Sequence, residues 1–335
     1  MKQPMNLSYG FFGLLTVLSP FIVALAQPSV DAAITHDKTL AVLGDSIVTG
    51  AAASPEFEAT FTSFAWLSKF HGVNFPENAF SMIVASGLGI KPDHVVNLAH
   101  NGWRVDSIAL EYQGLIGKTS KVPDNILISF NGNDACRESV FQQSETQFYE
   151  TYLDTLLNGT DGKGGIRWIA RTAPIVRPTS IFLLASLDFP QVLTNSRILQ
   201  KEVPLHFSTV RCERFRTGDH QDGPLISYLA DRALHMCRGI LGTNPKSQDP
   251  ISVFRRDHLK QLHQAMVEAQ QMAIEILNRE NRNPMLKFYF IEAPSHIVFD
   301  GVHIANDCFH LSKQGHNLLG YRVWEEMYDE ISAGR

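Results

Sequence analysis

A chain of 335 residues with 44% hydrophobic and 19% charged side chains has the composition of a globular protein of one large or two modest domains, able to bury a sizeable core. Its formal net charge of −5 provides no basic surface for nucleic acid and no polybasic lipid-binding tail.

The first stretch differs from the rest. Lys2 precedes an apolar run from Phe11 to Ala26 broken by Pro20, and Ala24-Leu25-Ala26 puts small residues where a signal peptidase reads. Residues 1–26 are therefore expected to be a secretory signal peptide, and the mature protein to be secreted, or periplasmic in a bacterium. No later stretch has the roughly 18–20 uninterrupted apolar residues that span a bilayer. Four cysteines follow, Cys136, Cys212, Cys237 and Cys308. An even count in an exported chain favours two disulfides, with three pairings open. Cys212 and Cys237 share one long connection, so a local Cys212–Cys237 bridge is expected. No CxxC pair and no His or Cys spacing points to a metal. Asn158-Gly159-Thr160 is a glycosylation acceptor if the host is eukaryotic.

Five runs read as strands: Thr39–Leu43, His94–Ala99, Asn125–Phe130, Ser180–Leu187 and Lys287–Ala293. Most are continuously apolar, the pattern of parallel strands covered on both faces. Helical patterns lie between them, at Asn78–Ser86, Val105–Ile116, Ser144–Leu157 and Arg255–Asn281, and a last helix is N-capped by Ser312. Alternating strands and helices predict an α/β protein of three layers, α/β/α, with a mostly parallel five-stranded sheet. One domain is expected over residues 36–333. It carries insertions at about 50–93 and 188–253, long enough for lids or binding loops.

Sites in open α/β sheets form beyond the carboxyl ends of the strands, so the residues that follow each run carry the functional reading. The first run ends in Gly44-Asp45-Ser46, which alone is also an ordinary strand-ending turn. The second ends in Asn97 to Gly102, where a glycine lets a backbone N–H approach a bound oxyanion. The third ends in Asn131-Gly132-Asn133-Asp134, and the Asn133 carboxamide can donate a second hydrogen bond to the same oxyanion. After the fifth come two Asp-x-x-His pairs, Asp300/His303 and Asp307/His310. Such a pair can set a histidine to take a serine proton while the aspartate fixes its tautomer. Other signatures fail. No Gly-x-Ser-x-Gly elbow is present, and Gly117-Lys118-Thr119 and Gly87-Leu88-Gly89 lack the further glycines of phosphate-binding loops. His258 and His263 are not spaced as metal ligands, and exposed or capping roles are expected for them.

Each signal is weak alone, but serine, glycine, asparagine and Asp-His occur in this order, each behind its own strand. In that order the chain resembles the SGNH, or GDSL-type, hydrolase family. Gly44-Asp45-Ser46 matches the first block, Asn97 to Gly102 the second, Gly132-Asn133-Asp134 the third, and Asp307-Cys308-Phe309-His310 with Leu311-Ser312 the last. Ile47 stands where the family usually has leucine. Cys136 after the third block, and Cys308, Phe309, Ser312, Gly315 and His316 in the last, resemble the phospholipase B-like branch. The resemblance implies a flavodoxin-like architecture and a catalytic set of Ser46, His310 and Asp307. It implies an oxyanion hole made by the backbone of Ser46 and Gly102 and by Asn133, and neither metal nor cofactor. It also favours Asp307/His310 over Asp300/His303, because His310 directly precedes the closing helix. The expected activity is ester hydrolysis on acyl esters of phospholipids or lysophospholipids, with transient contact to a membrane surface and no nucleic-acid partner. A carbohydrate acetylesterase is the alternative, and a non-catalytic surface-binding protein the third reading.

Overall fold

Every residue of Leu40–Gly44 and of Asn125–Ser129 is buried, which a strand achieves inside a sheet covered on both faces. In chain order the computed structural model has β1 (Leu40–Gly44), α1 (Phe80–Gly87), β2 (Val95–Asn97), α2 (Ile108–Lys118), β3 (Asn125–Ser129), α3 (Glu145–Asn158), α4 (Ile166–Thr172), β4 (Thr179–Leu184), β5 (Glu202–Leu205), β6 (Ser208–Arg211), α5 (Pro250–Glu280), β7 (Leu286–Ile291) and α6 (Lys313–Ser332), with shorter helical turns between them. The structure describes residues 38–53, 74–118, 122–160, 162, 164–172, 178–205, 208–217 and 237–333. The expected leader, residues 1–26, lies outside the described residues, as do 54–73 and 218–236 of the two expected insertions.

The main sheet has the order β2-β1-β3-β4-β7, parallel throughout, and β5 and β6 form a separate antiparallel pair. Alternation along each strand sorts side chains onto two faces. Ala41, Leu43, Ile126, Ile128, Ile181 and Leu183 pack with the inner faces of α2, α3, α4 and α5. Leu40, Val42, Leu127, Phe182 and Leu184 pack with α1 and α6. The fold is therefore the three-layer α/β/α arrangement. The strand order reverses direction between β1 and β3, and ligands bind beyond the carboxyl ends at such a point. Parallel register sets Gly44 opposite Ser129, so the segments that follow β1 and β3 start at the same level.

The five expected strands are the five strands of this sheet, and the expected helices are present with small shifts at their ends. The largest shift is in α5, which begins at Pro250 instead of Arg255. The Asp249 carboxylate caps it by accepting the Ser252 N–H at 2.9 Å, and Pro250 occupies the first turn. Its first apolar residues, Ile251 and Phe254, stay exposed, so the inward-facing periodicity starts later than the helix.

The disulfides correct the expected Cys212–Cys237 bridge. Cys136 pairs with Cys237 and Cys212 with Cys308, with Cα separations of 4.5 and 5.4 Å. The segment at Cys237 folds back on the turn after β3, where the Gly239 N–H donates to the Cys136 carbonyl at 2.8 Å. The β5–β6 ribbon lies against the 304–308 loop. There the Lys201 ammonium donates to the Ile304 carbonyl, and the Cys212 N–H to the Lys201 carbonyl. Closeness in sequence misled because each cysteine of this long connection packs on a different strand-end loop. His258 and His263 also differ from expectation. His258 is buried and its Nε2 meets the Val140 carbonyl at 3.0 Å, and Nε2 of the half-buried His263 meets the Ser186 carbonyl at 3.1 Å.

Phe182 is fully buried in β4, with its ring centroid 5.0 Å from that of Tyr289 on β7. Phe182→Ala is expected to cost about 3–5 kcal/mol of unfolding free energy, measured by denaturant titration. A loss below about 1 kcal/mol would contradict this packing.

Candidate active site

The serine turn is built by backbone constraint. Gly44 has φ +151°, and a Cβ there would lie 2.1 Å from the Ser129 carbonyl oxygen, so the chain leaves β1 against β3 only with glycine. Asp45 is buried. Its Oδ1 accepts the Ile47 N–H at 3.0 Å and its Oδ2 the Asn131 N–H at 2.7 Å, and Asn131 Nδ2 donates to Oδ1 at 3.2 Å. Asn131 Oδ1 in turn accepts the Leu187 N–H at 3.1 Å. The ends of β1, β3 and β4 are thereby joined through two side chains. Burial pushes the Asp45 carboxyl up to about 6 although these donors oppose it. From α2, Glu111 Oε2 accepts the Gly44 N–H at 2.6 Å. Burial pushes Glu111 up to about 9, so the side chain is a neutral acid at neutral pH.

The loop before α6 supplies the histidine. Asp307 Oδ1 accepts the N–H groups of Phe309 and His310, each at 2.9 Å, an Asx turn that the carboxylate makes for itself. Cys308 at its centre has φ +62° and carries the bridge to Cys212. The other carboxylate oxygen, Oδ2, takes the hydrogen bond from His310 Nδ1 at 2.6 Å, and His310 Nε2 lies 3.0 Å from Ser46 Oγ. Burial alone would raise the Asp307 carboxyl, but the His310 imidazole and the turn's amides outweigh it and hold it below its ordinary value. With Nδ1 committed as donor, Nε2 is left to accept the serine proton. A hydroxyl held this way can attack an electrophilic carbon as its proton passes to the ring.

The alternative pair does a different job. His303 Nδ1 accepts the Asp300 N–H at 2.9 Å, while the Asp300 carboxylate caps Gly301 and pairs with Arg197 at 3.2 Å. Asp300 and His303 thus close one short helical turn on themselves. Ser312 fastens that turn to α6, donating to the Val302 carbonyl at 2.6 Å and capping the Gly315 N–H at 3.2 Å.

The segment after β2 runs beside the serine. His100 N–H continues the ladder by donating to the Gly44 carbonyl at 3.0 Å. Gly102 is exposed with φ +77°, a conformation that side-chain-bearing residues rarely adopt. Asn133 Nδ2 donates to the Trp103 carbonyl at 3.0 Å, which orients the amide and uses one of its two N–H bonds. Among the described residues, the N–H groups of Ser46 and Gly102 and the second Asn133 N–H have no internal acceptor. Thr49 crosses between the two segments, its hydroxyl 2.9 Å from the Ser46 carbonyl and 2.6 Å from Asn101 Oδ1.

Glu111, Asn131, Thr49 and Trp103 are contributors that the sequence reading did not single out. Glu111 did leave a trace. It sits between Ile108, Tyr112 and Leu115 on the apolar face of α2, where a charged side chain is out of place. Asn131 directly precedes the third block, but nothing local tells that its side chain reaches β1 and β4. Among the described residues, no group of three His, Cys, Asp or Glu side chains is placed to hold a metal ion.

No family model matches the chain, and no curated protein does. Solved structures similar to this one include a lipase/acylhydrolase from Enterococcus faecalis, 14% identical over 87% of this chain and 95% of that one, with a TM-score of 0.39. An acetyl xylan esterase from Geobacillus stearothermophilus is 16% identical over 87% and 94%, with a TM-score of 0.41. A family two carbohydrate esterase from Clostridium thermocellum is 14% identical over 88% and 64%, with a TM-score of 0.40. The chain resembles the SGNH hydrolases in the order of its motifs. Similarities of this size carry no functional weight.

Glu111 yields a test of the serine turn. An acid whose proton is held more tightly in the folded state lends stability that is complete below its unfolded value, here about 4.5, and is lost as pH rises toward about 9. Glu111→Gln keeps an acceptor for the Gly44 N–H and removes the ionisation. The variant is expected to match the wild type in thermal unfolding at pH 5 and to unfold several degrees higher at pH 9. Equal midpoints at pH 9 would show that Glu111 is not a buried neutral acid.

Proposed function

We propose that the protein is a secreted serine ester hydrolase acting through an acyl-enzyme. The observation that carries this reading is the unbroken line from Ser46 Oγ to His310 Nε2 at 3.0 Å and from His310 Nδ1 to Asp307 Oδ2 at 2.6 Å. His310 takes the Ser46 proton as Oγ bonds to the ester carbonyl carbon. Asp307 stabilises the resulting imidazolium. The carbonyl oxygen becomes an oxyanion facing the N–H groups of Ser46 and Gly102 and the free N–H of Asn133. Collapse expels the alcohol, which takes the proton from His310. Water then attacks the acyl-enzyme with His310 again as base, releasing the acid and restoring Ser46. No step needs a metal or a cofactor.

The proposed substrates are acyl esters of phospholipids or lysophospholipids, met at a membrane surface. Val298 and Val302, 76% and 59% exposed, present apolar side chains on the loop that leads into Asp307. The motif Asp307-Cys308-Phe309-His310 resembles the phospholipase B-like branch. One observation favours the second reading, a carbohydrate acetylester: His100 and Trp103, stacked with centroids 4.0 Å apart, flank Gly102 and offer the kind of flat ring on which a sugar can rest. The two disulfides suit an oxidising compartment. Among the described residues, no helix is long and apolar enough to cross a membrane.

Ser46→Ala is expected to remove aryl-ester hydrolysis by about 10⁶-fold in kcat, and Asn133→Ala to lower it by about 10²–10³-fold. Steady-state kinetics on acetyl and long-chain aryl esters, phospholipid vesicles and acetylated oligosaccharides tests both assignments. Hydrolysis unchanged in Ser46→Ala rules out the nucleophile. Activity confined to acetylated sugars replaces the lipid reading with the carbohydrate one, and an inert wild type points to a binding protein.

A further inference from the structure

The segment that carries Gly102 is pinned at several points, and Gly102 is not one of them. Upstream, His100 donates to the Gly44 carbonyl at 3.0 Å. Downstream, two consecutive residues of the turn after β3 grip two points of the chain: Asn133 donates to the Trp103 carbonyl at 3.0 Å, and Asp134 Oδ2 accepts the Val105 N–H at 3.3 Å. A Cβ placed on Gly102 would meet no atom within 4 Å, so no packing sets the direction of its N–H. Its direction is set by the His100–Trp103 turn, which the Trp103 N–H closes on the His100 carbonyl at 3.3 Å, and by how the anchored flanks hold that turn.

We infer that Asp134 is a positioning residue for the oxyanion hole, holding the Gly102–Val105 segment against Asn133 without touching substrate; this rests on the ester-hydrolase reading above. Asn133 has two tasks in that reading, to bind the Trp103 carbonyl and to donate to the oxyanion, and on the downstream side a single hydrogen bond lets the His100–Trp103 turn tilt as a unit. The Asp134 bond two residues further on adds a second point, and two points fix an orientation. Asp134 itself is turned away from the serine. It lines a cavity of about 200 Å³ shared with Arg104, Asp106, Arg137 and Tyr152, and neither Ser46 nor His310 borders that cavity. Misplacement of a reacting group by about 1 Å can cost about 10²-fold in rate, which sets the scale of the effect.

The test is kinetic, on the full protein with an aryl ester. Asp134→Ala is expected to lower kcat by between about tenfold and a hundredfold while KM stays within about twofold of the wild type, because substrate binding is untouched and transition-state stabilisation is reduced. Asp134→Asn keeps an acceptor oxygen and is expected to recover most of the rate. Val105→Pro deletes the donor from the other side. It falls at the first position of a helical turn whose preceding residue, Arg104, is extended, where proline is accommodated, and it is expected to reproduce the Asp134→Ala loss. In an Asn133→Ala background, Asp134→Ala is expected to cost less than about threefold, since the segment has already lost its Trp103 anchor and is no longer fixed at two points.

Several results overturn the inference: an Asp134→Ala kcat within about twofold of the wild type, a KM that rises as kcat holds, Asp134→Asn as impaired as Asp134→Ala, or losses that multiply in the double variant. If Asp134→Ala does not fold, Val105→Pro and Asp134→Asn decide, and a Val105→Pro enzyme with full kcat refutes the clamp. Ser46→Ala separates the two levels. Activity surviving in that variant removes the underlying reading, whereas an inactive Ser46→Ala beside a fully active Asp134→Ala removes this inference alone.

Discussion

One hydrogen bond joins parts of the chain 264 residues apart, the contact between His310 Nε2 and Ser46 Oγ. Everything else near the site can be read as a device that makes this meeting reproducible. The serine side is set by strand register, because β1 and β3 end level and Gly44 permits a turn that a Cβ would block. The histidine side is set by a loop that folds on its own aspartate before it reaches the serine. Neither half has much freedom left when the two come together, so little ordering entropy remains to be lost at the site itself.

The polar groups around the serine turn raise a cost that the fold must carry. Asp45 lies close enough to both Glu111 and Asp134 to bear on their charge, and burial raises all three carboxyls, to about 6, 9 and 7. Buried acids cost free energy unless they are protonated or well supplied with donors. Asp45 has three donors, from Ile47 and Asn131. Glu111 has one and resolves the conflict by remaining neutral. Gradation of this kind keeps several carboxyls near one another without stacking their charges beside Asp307, whose negative charge the imidazole needs.

The architecture was largely legible because buried parallel strands are written as continuous apolar runs, and five such runs separated by helical periodicity leave few alternatives. Ser46, Gly102, Asn133, Asp307 and His310 were legible as candidates because each follows a strand or precedes a helix, where a polar residue has a reason to be. What was not legible depends on three-dimensional proximity. Nothing near Cys212 indicates that its partner is Cys308, and nothing near Asn131 shows that it spans three strand ends. The start of α5 was obscured for a local reason, its first apolar side chains pointing into solvent. Asp300/His303 and Asp307/His310 are the same pattern in sequence. Only the direction in which each aspartate spends its oxygens separates them: Asp300 closes a helical turn, and Asp307 braces an imidazole.

Cys308 occupies the middle of the Asp307–His310 turn, and its bridge to Cys212 fastens that turn to the β5–β6 ribbon. The covalent tie is therefore made at the residue between the proposed base and its carboxylate, not at a distant edge of the fold. A chain newly made in a reducing cytosol lacks this tie, and its histidine loop is held by hydrogen bonds alone until the thiols are oxidised. Maturation of the bond and completion of the site then coincide. The compartment in which the protein acquires its disulfides is also the compartment in which its serine acquires a fixed partner.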